Sequence, residues 1–182
     1  MDIEPDALCL GVEVPFPTVI AAAKVAAAKN IPIFIDASPA SREPALEKRP
    51  PVENFSPNET ETVTYTGIMP TGTDNSLRAA LDLYRKVKCR HLVIKLGARG
   101  AFLYDGRHFD LVPAFRPDKV VDTTGAGDAF QAAMTLAYLE NGGKIKEAVR
   151  YGAAAGAITV SRKGGAASSP TREEIAQFLK TH

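Results

Sequence analysis

Two short apolar runs, Ala7 to Val12 and Ile31 to Ile35, bracket a helix-like stretch from Pro17 to Asn30, and no other feature restricts the fold as much. The first run (ALCLGV) suits a buried strand; the second (IPIFI) is β-branched and stops at Asp36. Pro17 suits a first helical turn and Asn30 a helix end. Strand, helix and strand at this spacing imply parallel pairing through a right-handed crossover. The pattern then repeats. A brief strand is expected near Asn54 to Ser56, a short helix over Glu59 to Thr66 closed by Gly67, and a helix over Asn75 to Lys88. The last carries Leu77, Ala80, Leu81, Tyr84 and Val87 on one face. His91 to Leu96 reads as another strand, followed by the turn Gly97-Ala98-Arg99-Gly100. A hairpin follows from Ala101 to Val112 through Asp105-Gly106. Beyond Pro117 three helices are expected: Gly127 to about Asn141, Ile145 to about Val160, and Arg172 to Lys180. Thr171 and Glu174 are spaced for a capping box at the start of the last. Residues 37 to 53, with Pro39, Pro44, Pro50 and Pro51, read as a loop with at most a short helix. Alternating strands and helices predict an α/β sheet covered on both faces.

With 182 residues, 45% apolar and 24% charged, one soluble globular domain over 1–182 is the expectation. A net charge of +1 and no Lys/Arg-rich run argue against nucleic acid as a partner. The start Met1-Asp2-Ile3-Glu4-Pro5 is acidic where a signal peptide is basic, and no apolar run approaches the ~20 residues that span a bilayer. The chain is therefore expected in the cytoplasm, away from membranes. Asn58-Glu59-Thr60 matches the glycosylation sequon, which is incidental without secretion. Cys9 and Cys89 lie in or beside apolar runs and read as two reduced, buried thiols. His91, His108 and His182 have no ligand spacing with each other or with the cysteines.

Chemistry concentrates in Val120 to Phe130 (VVDTTGAGDAF), an apolar strand end, a glycine-rich turn and a helix start. Gly125 and Gly127 permit backbone angles and close approaches that a Cβ resists. The free N–H groups of the first helical turn, aided by the helix dipole, then form an anion site. A carboxylate at Asp128 can take the proton of an attacking hydroxyl while those amides hold a phosphoryl group. Read from the turn alone, Asp128 as a plain helix cap is the simpler account. Other glycine loops do not fit: GxGxxG needs glycine where Phe130 stands, and no GK[ST] follows.

Asp122 to Phe130 resembles the C-terminal signature of the ribokinase-like carbohydrate kinases. Pro57 to Glu61 (PNETE) resembles that family's Asn-x-x-Glu motif, and Leu96 to Gly100 its nucleotide loop. Thr159 to Glu174, and Ser38-Pro39-Ala40 after the second strand, are similar to ribokinases within it. The resemblance implies a three-layer αβα sandwich on a mostly parallel, Rossmann-like sheet. It implies phosphoryl transfer from ATP to the primary hydroxyl of a pentose, ribose foremost. Asp128 is then the catalytic base, with Gly125, Ala126 and Gly127 lining the anion hole. Asn58, Lys95, Leu96, Gly97, Ala98, Arg99 and Gly100 hold the nucleotide, and Glu61 helps organise the Mg²⁺ water shell. Asp122, Thr124, Thr159, Arg162, Gly164 and Ser168 match a K⁺ site, and Glu13 a sugar contact. Each residue keeps a plainer account: Asn58 a turn residue, Glu61 and Glu13 solvated charges, Arg99 an exposed turn cation, Asp122 a loop-fixing acceptor. The match begins in the middle of the family pattern. That implies missing N-terminal strands and lid, exposed sheet edges, self-association with a homodimer among the outcomes, and an inactive nucleotide-binding remnant as the rival function. Two departures stand out, Ala153 and Asp36, each where ribokinases usually carry Asn.

Overall fold

The computed structural model describes residues 4–39 and 49–182. Met1-Asp2-Ile3, Ala40, Pro44 and most of the loop expected over 37 to 53 lie outside the described residues. The strands are β1 (Leu8–Leu10), β2 (Ile33–Asp36), β3 (Val52–Ser56), β4 (Cys89–Lys95), β5 (Ala101–Tyr104) and β6 (Phe109–Val112). They form one sheet in sequence order, with β1, β2, β3 and β4 mutually parallel. The helices are α1 (Phe16–Ala28), α2 (Glu59–Thr66), α3 (Thr73–Val87), α4 (Ala126–Glu140), α5 (Ile145–Val160) and α6 (Arg172–Thr181). The α/β class and parallel order are as the alternation predicted.

Two compact units are present. Unit 1 is Met1–Leu96 with Phe102–Asp110, and unit 2 is Gly97–Ala101 with Leu111–His182. In unit 1 the core is the run of apolar strand residues the sequence announces: Ile33, Ile35, Phe55, Leu92 and Ile94, with Ala79, Ala80, Leu83 and Val87 of α3. Both faces of β2 are buried, which is why its sequence is a continuous apolar run rather than an alternating one. On α3 the stripe is turned from the expected one: Leu77, Leu81 and Tyr84 are only partly buried, while Leu83 and Ala79 are enclosed. Arg49 closes the end of this helix. Its Nη2 donates to the Val87 carbonyl at 2.5 Å and its guanidinium lies 5.4 Å from the centre of the Phe55 ring. Burial lowers its pKa to about 10. Cys89 is buried as expected, but Cys9 is exposed. β1 lies at one rim of the sheet, and Cys9 is its exposed residue between the partly buried Leu8 and Leu10.

In unit 2, α5 crosses α4 at close range. A Cβ on Gly152 would lie 2.8 Å from the Phe130 carbonyl oxygen and 3.1 Å from Met134 Cβ. Gly156, one turn on, stands against the start of α4, at 3.6 Å from the Ala126 carbonyl oxygen.

Candidate active site

The residues singled out by sequence fall into two groups, one in each unit. In unit 1 they gather at the carboxyl ends of three adjacent parallel strands, where open α/β sheets present ligand sites. β2 ends in Asp36, β3 runs through Pro57 into α2, and β4 ends in Lys95. Asn58 caps α2: its Oδ1 accepts from the Glu61 N–H at 2.9 Å, and its own N–H donates to Glu61 Oε2 at 2.7 Å. Its Nδ2 also donates to Glu61 Oε1 at 2.9 Å. The Asn-x-x-Glu motif is thus a capping box that fixes a buried carboxylate in one orientation. Burial raises the Glu61 pKa, against the Asn58 backbone hydrogen bond and the Lys95 charge, which lower it.

The Lys95 ammonium donates to Asp36 Oδ2 at 2.6 Å, and both side chains are nearly enclosed, 13% and 12% exposed. Asp36 Oδ1 accepts from the Ser38 N–H at 3.2 Å. Sequence reasoning named Lys95 but not its partner, which lies 59 positions away and was noted only as a departure from Asn. Glu13 is exposed after β1, yet its Oε2 and the Ser38 carbonyl both come within 4.0 Å of the point a Gly11 Cβ would occupy. It therefore stands near the same strand ends. The donor chemistry suits Mg²⁺, a hard cation that meets carboxylates through its water shell. Glu61, buried, accepts from Asn58 at each oxygen and has lone pairs left for such waters.

In unit 2 Gly125 is the N-cap of α4, with φ 80°, a left-handed conformation that glycine adopts without penalty. No side chain caps the helix, so Asp128, exposed in the first turn, is not acting as the cap. The Ala126 amide donates to the Thr123 carbonyl at 3.2 Å. The donors left for an anion are the next amides, of Gly127 and Asp128, which helix geometry leaves without partners. Gly127 itself lies within α4 and does not have a left-handed φ. Thr124, Gly125 and Asp128 line one end of a cleft of about 430 Å³ that continues along Ala129, Ala132 and Leu136.

Asp122 ties this turn to the loop after α5. Its Oδ1 accepts from Thr124 N–H at 2.9 Å and its Oδ2 from Gly164 N–H at 3.3 Å. These bonds, led by that from Thr124, lower its pKa. Ser168 closes the loop, donating from Oγ to the Gly165 carbonyl at 2.6 Å. The Thr159 side chain is spent on the Ala155 carbonyl, and the Arg162 guanidinium on both oxygens of Glu174, at 2.6 and 3.2 Å. The main-chain oxygens of Thr159 and Arg162, the former already accepting from the Arg162 N–H at 3.1 Å, are of the donor type that K⁺ takes. The loop-fixing account of Asp122 holds whatever else it does.

Gly97–Arg99 forms a 3₁₀ turn, with Ala98 and Arg99 exposed and Leu96 buried before it. Gly100, expected to admit a ligand, instead admits the chain: at φ 95°, a Cβ there would sit 2.0 Å from the Val112 carbonyl oxygen.

A parallel α/β sheet, a glycine turn opening a helix and a carboxylate in that helix's first turn are the parts of a phosphotransferase acting on an alcohol. Residues 6–172 match the pattern of the pfkB family of carbohydrate kinases, and the chain belongs to that family. It is similar to ribokinase of Arabidopsis thaliana, 33% identical over 92% of this chain and 44% of that protein. It is also similar to ribokinase of Haemophilus influenzae, 31% identical over 97% and 56%. The solved structure of Arabidopsis thaliana ribokinase with ribose and ATP superposes with a TM-score of 0.87 at 29% identity, over 96% of this chain and 56% of that one. The chain thus spans about half the length of the relatives it matches.

Proposed function

We propose that the chain is the nucleotide-binding and catalytic part of an ATP-dependent sugar kinase, transferring the γ-phosphoryl group to the primary hydroxyl of a pentose, ribose before other sugars. The observation that carries this is the turn at Gly125. A left-handed glycine leads into α4, and that glycine, Thr124 and Asp128 line a single cleft. Asp128 removes the proton of the acceptor hydroxyl, and the turn of Gly125, Ala126 and Gly127, through the amides of Gly127 and Asp128, holds the transferring phosphoryl group as its charge redistributes. Glu61, fixed by Asn58, orders the waters of a Mg²⁺ whose chemistry is to neutralise charge on the phosphates. Lys95 and the 97–100 turn hold nucleotide, and Glu13 meets the sugar. Carbonyls of Thr124, Thr159, Arg162 and Gly164, with Asp122 and Ser168, hold K⁺ and keep the amide-bearing turn in place. The family membership and the ribokinase relatives support the substrate class.

Asp128→Ala is expected to lower turnover of ribose by about 10²–10⁴-fold, the range of general-base catalysis, with ATP–Mg²⁺ affinity little changed. Coupled ADP-release assays and calorimetry read the two quantities, and undiminished turnover removes the proposed base. The rival reading is a module that binds nucleotide without turnover. ATP–Mg²⁺ binding by the unaltered chain with no ADP release selects that one.

A further inference from the structure

The structure assigns a specificity role to Asp36: we infer that its pairing with Lys95 makes the unit 1 site reject bare polyphosphate and accept polyphosphate carrying a divalent cation. This rests on the nucleotide reading above and deepens it. Lys95 is the one cation among the strand-end groups described above, and its ammonium is already held at 2.6 Å by Asp36. Glu61 adds a second carboxylate, buried and fixed by Asn58. With Asp36, the cluster carries two negative charges against one positive, and Glu13 stands nearby. A free tripolyphosphate is strongly anionic and meets a net negative corner whose cation is occupied. Complexed with Mg²⁺, the ligand has less charge to repel, and its metal waters find acceptors in Glu61 and Asp36. With Asn at 36 the ammonium would lose its 2.6 Å partner, and Lys95 with Glu61 would leave the cluster neutral. Asp36 is thus a positioning residue that sets charge selectivity; it need not touch the ligand.

Calorimetry of the chain with ATP and with inorganic tripolyphosphate, each in excess Mg²⁺ and in EDTA, measures the selectivity as a ratio of dissociation constants. Asp36→Asn is expected to reduce that ratio about tenfold or more, by tightening the metal-free ligands most, with an effect that shrinks as salt is added. The double variant Asp36→Asn/Lys95→Met removes both charges and restores the original balance. It is expected to return the ratio toward that of the unaltered chain while weakening every ligand, and it leaves no stranded ammonium to unfold the site. A purely structural role for Asp36 predicts parallel losses with and without Mg²⁺. An unchanged ratio in Asp36→Asn, or a ratio that stays reduced in the double variant, overturns the inference alone. An unaltered chain that binds neither ligand overturns the nucleotide reading together with it.

Discussion

Burial raises the Cys89 thiol pKa to about 12, outweighing the opposite pull of Arg49. At pH 8 the thiolate, which is the reactive form, is then roughly one part in 10⁴. Cys9 is exposed. A thiol reagent at pH 8 is expected to modify Cys9 alone in the folded chain and both cysteines in denaturant; prompt modification of Cys89 without denaturant contradicts this burial. The sequence placed both thiols inside because an apolar run does not say which strand will be the edge. The Asn58 cap was missed, since Asn58 was read as a turn residue, although its spacing from Glu61 within one turn carries the signal. The Asp36–Lys95 pair was not legible, because it is made only when β2 and β4 end at the same side of the sheet.

Two helix ends were legible from the residues that mark them, whereas α3 opens at Thr73 after Gly72, ahead of the expected Asn75. α2 is closed by Gly67 and α6 opens on Thr171 with Glu174, as their spacing implies. The crossing of α5 on α4 was not legible, since a glycine inside a helix does not announce its neighbour. The two glycines of α5 nevertheless differ in a measurable way. Replacing either by Ala gains helix propensity of up to about 1 kcal/mol. At Gly152 the new methyl would lie 2.8 Å from a backbone oxygen, and overpacking of this kind costs about 1–3 kcal/mol. At Gly156 the nearest atom is at 3.6 Å, an ordinary contact. Thermal unfolding is therefore expected to show Gly152→Ala destabilised and Gly156→Ala unchanged or slightly stabilised. Equal effects at both positions contradict the crossing.

Fold class was readable at the scale of the whole chain because parallel strands buried on both faces leave continuous apolar runs, which helices must separate. The division into two compact units was not, since no change of composition falls between them. Sheet order also fixes which strands are left at the rim, β1 on one side and β6 on the other. On β6, Phe109 and Leu111 point to the same face, two residues apart, and are 46% and 51% exposed. Exposed apolar side chains on a strand at the rim of the sheet, as β6 is among the described residues, favour association with another chain. We predict that the weight-average mass in sedimentation rises with concentration, and that Leu111→Lys suppresses the rise by placing a charge on that edge. The substitution replaces an exposed side chain, so folding stability should change by less than about 0.5 kcal/mol. A mass independent of concentration, or a rise that Leu111→Lys leaves intact, would show that association, if any, does not use the β6 edge.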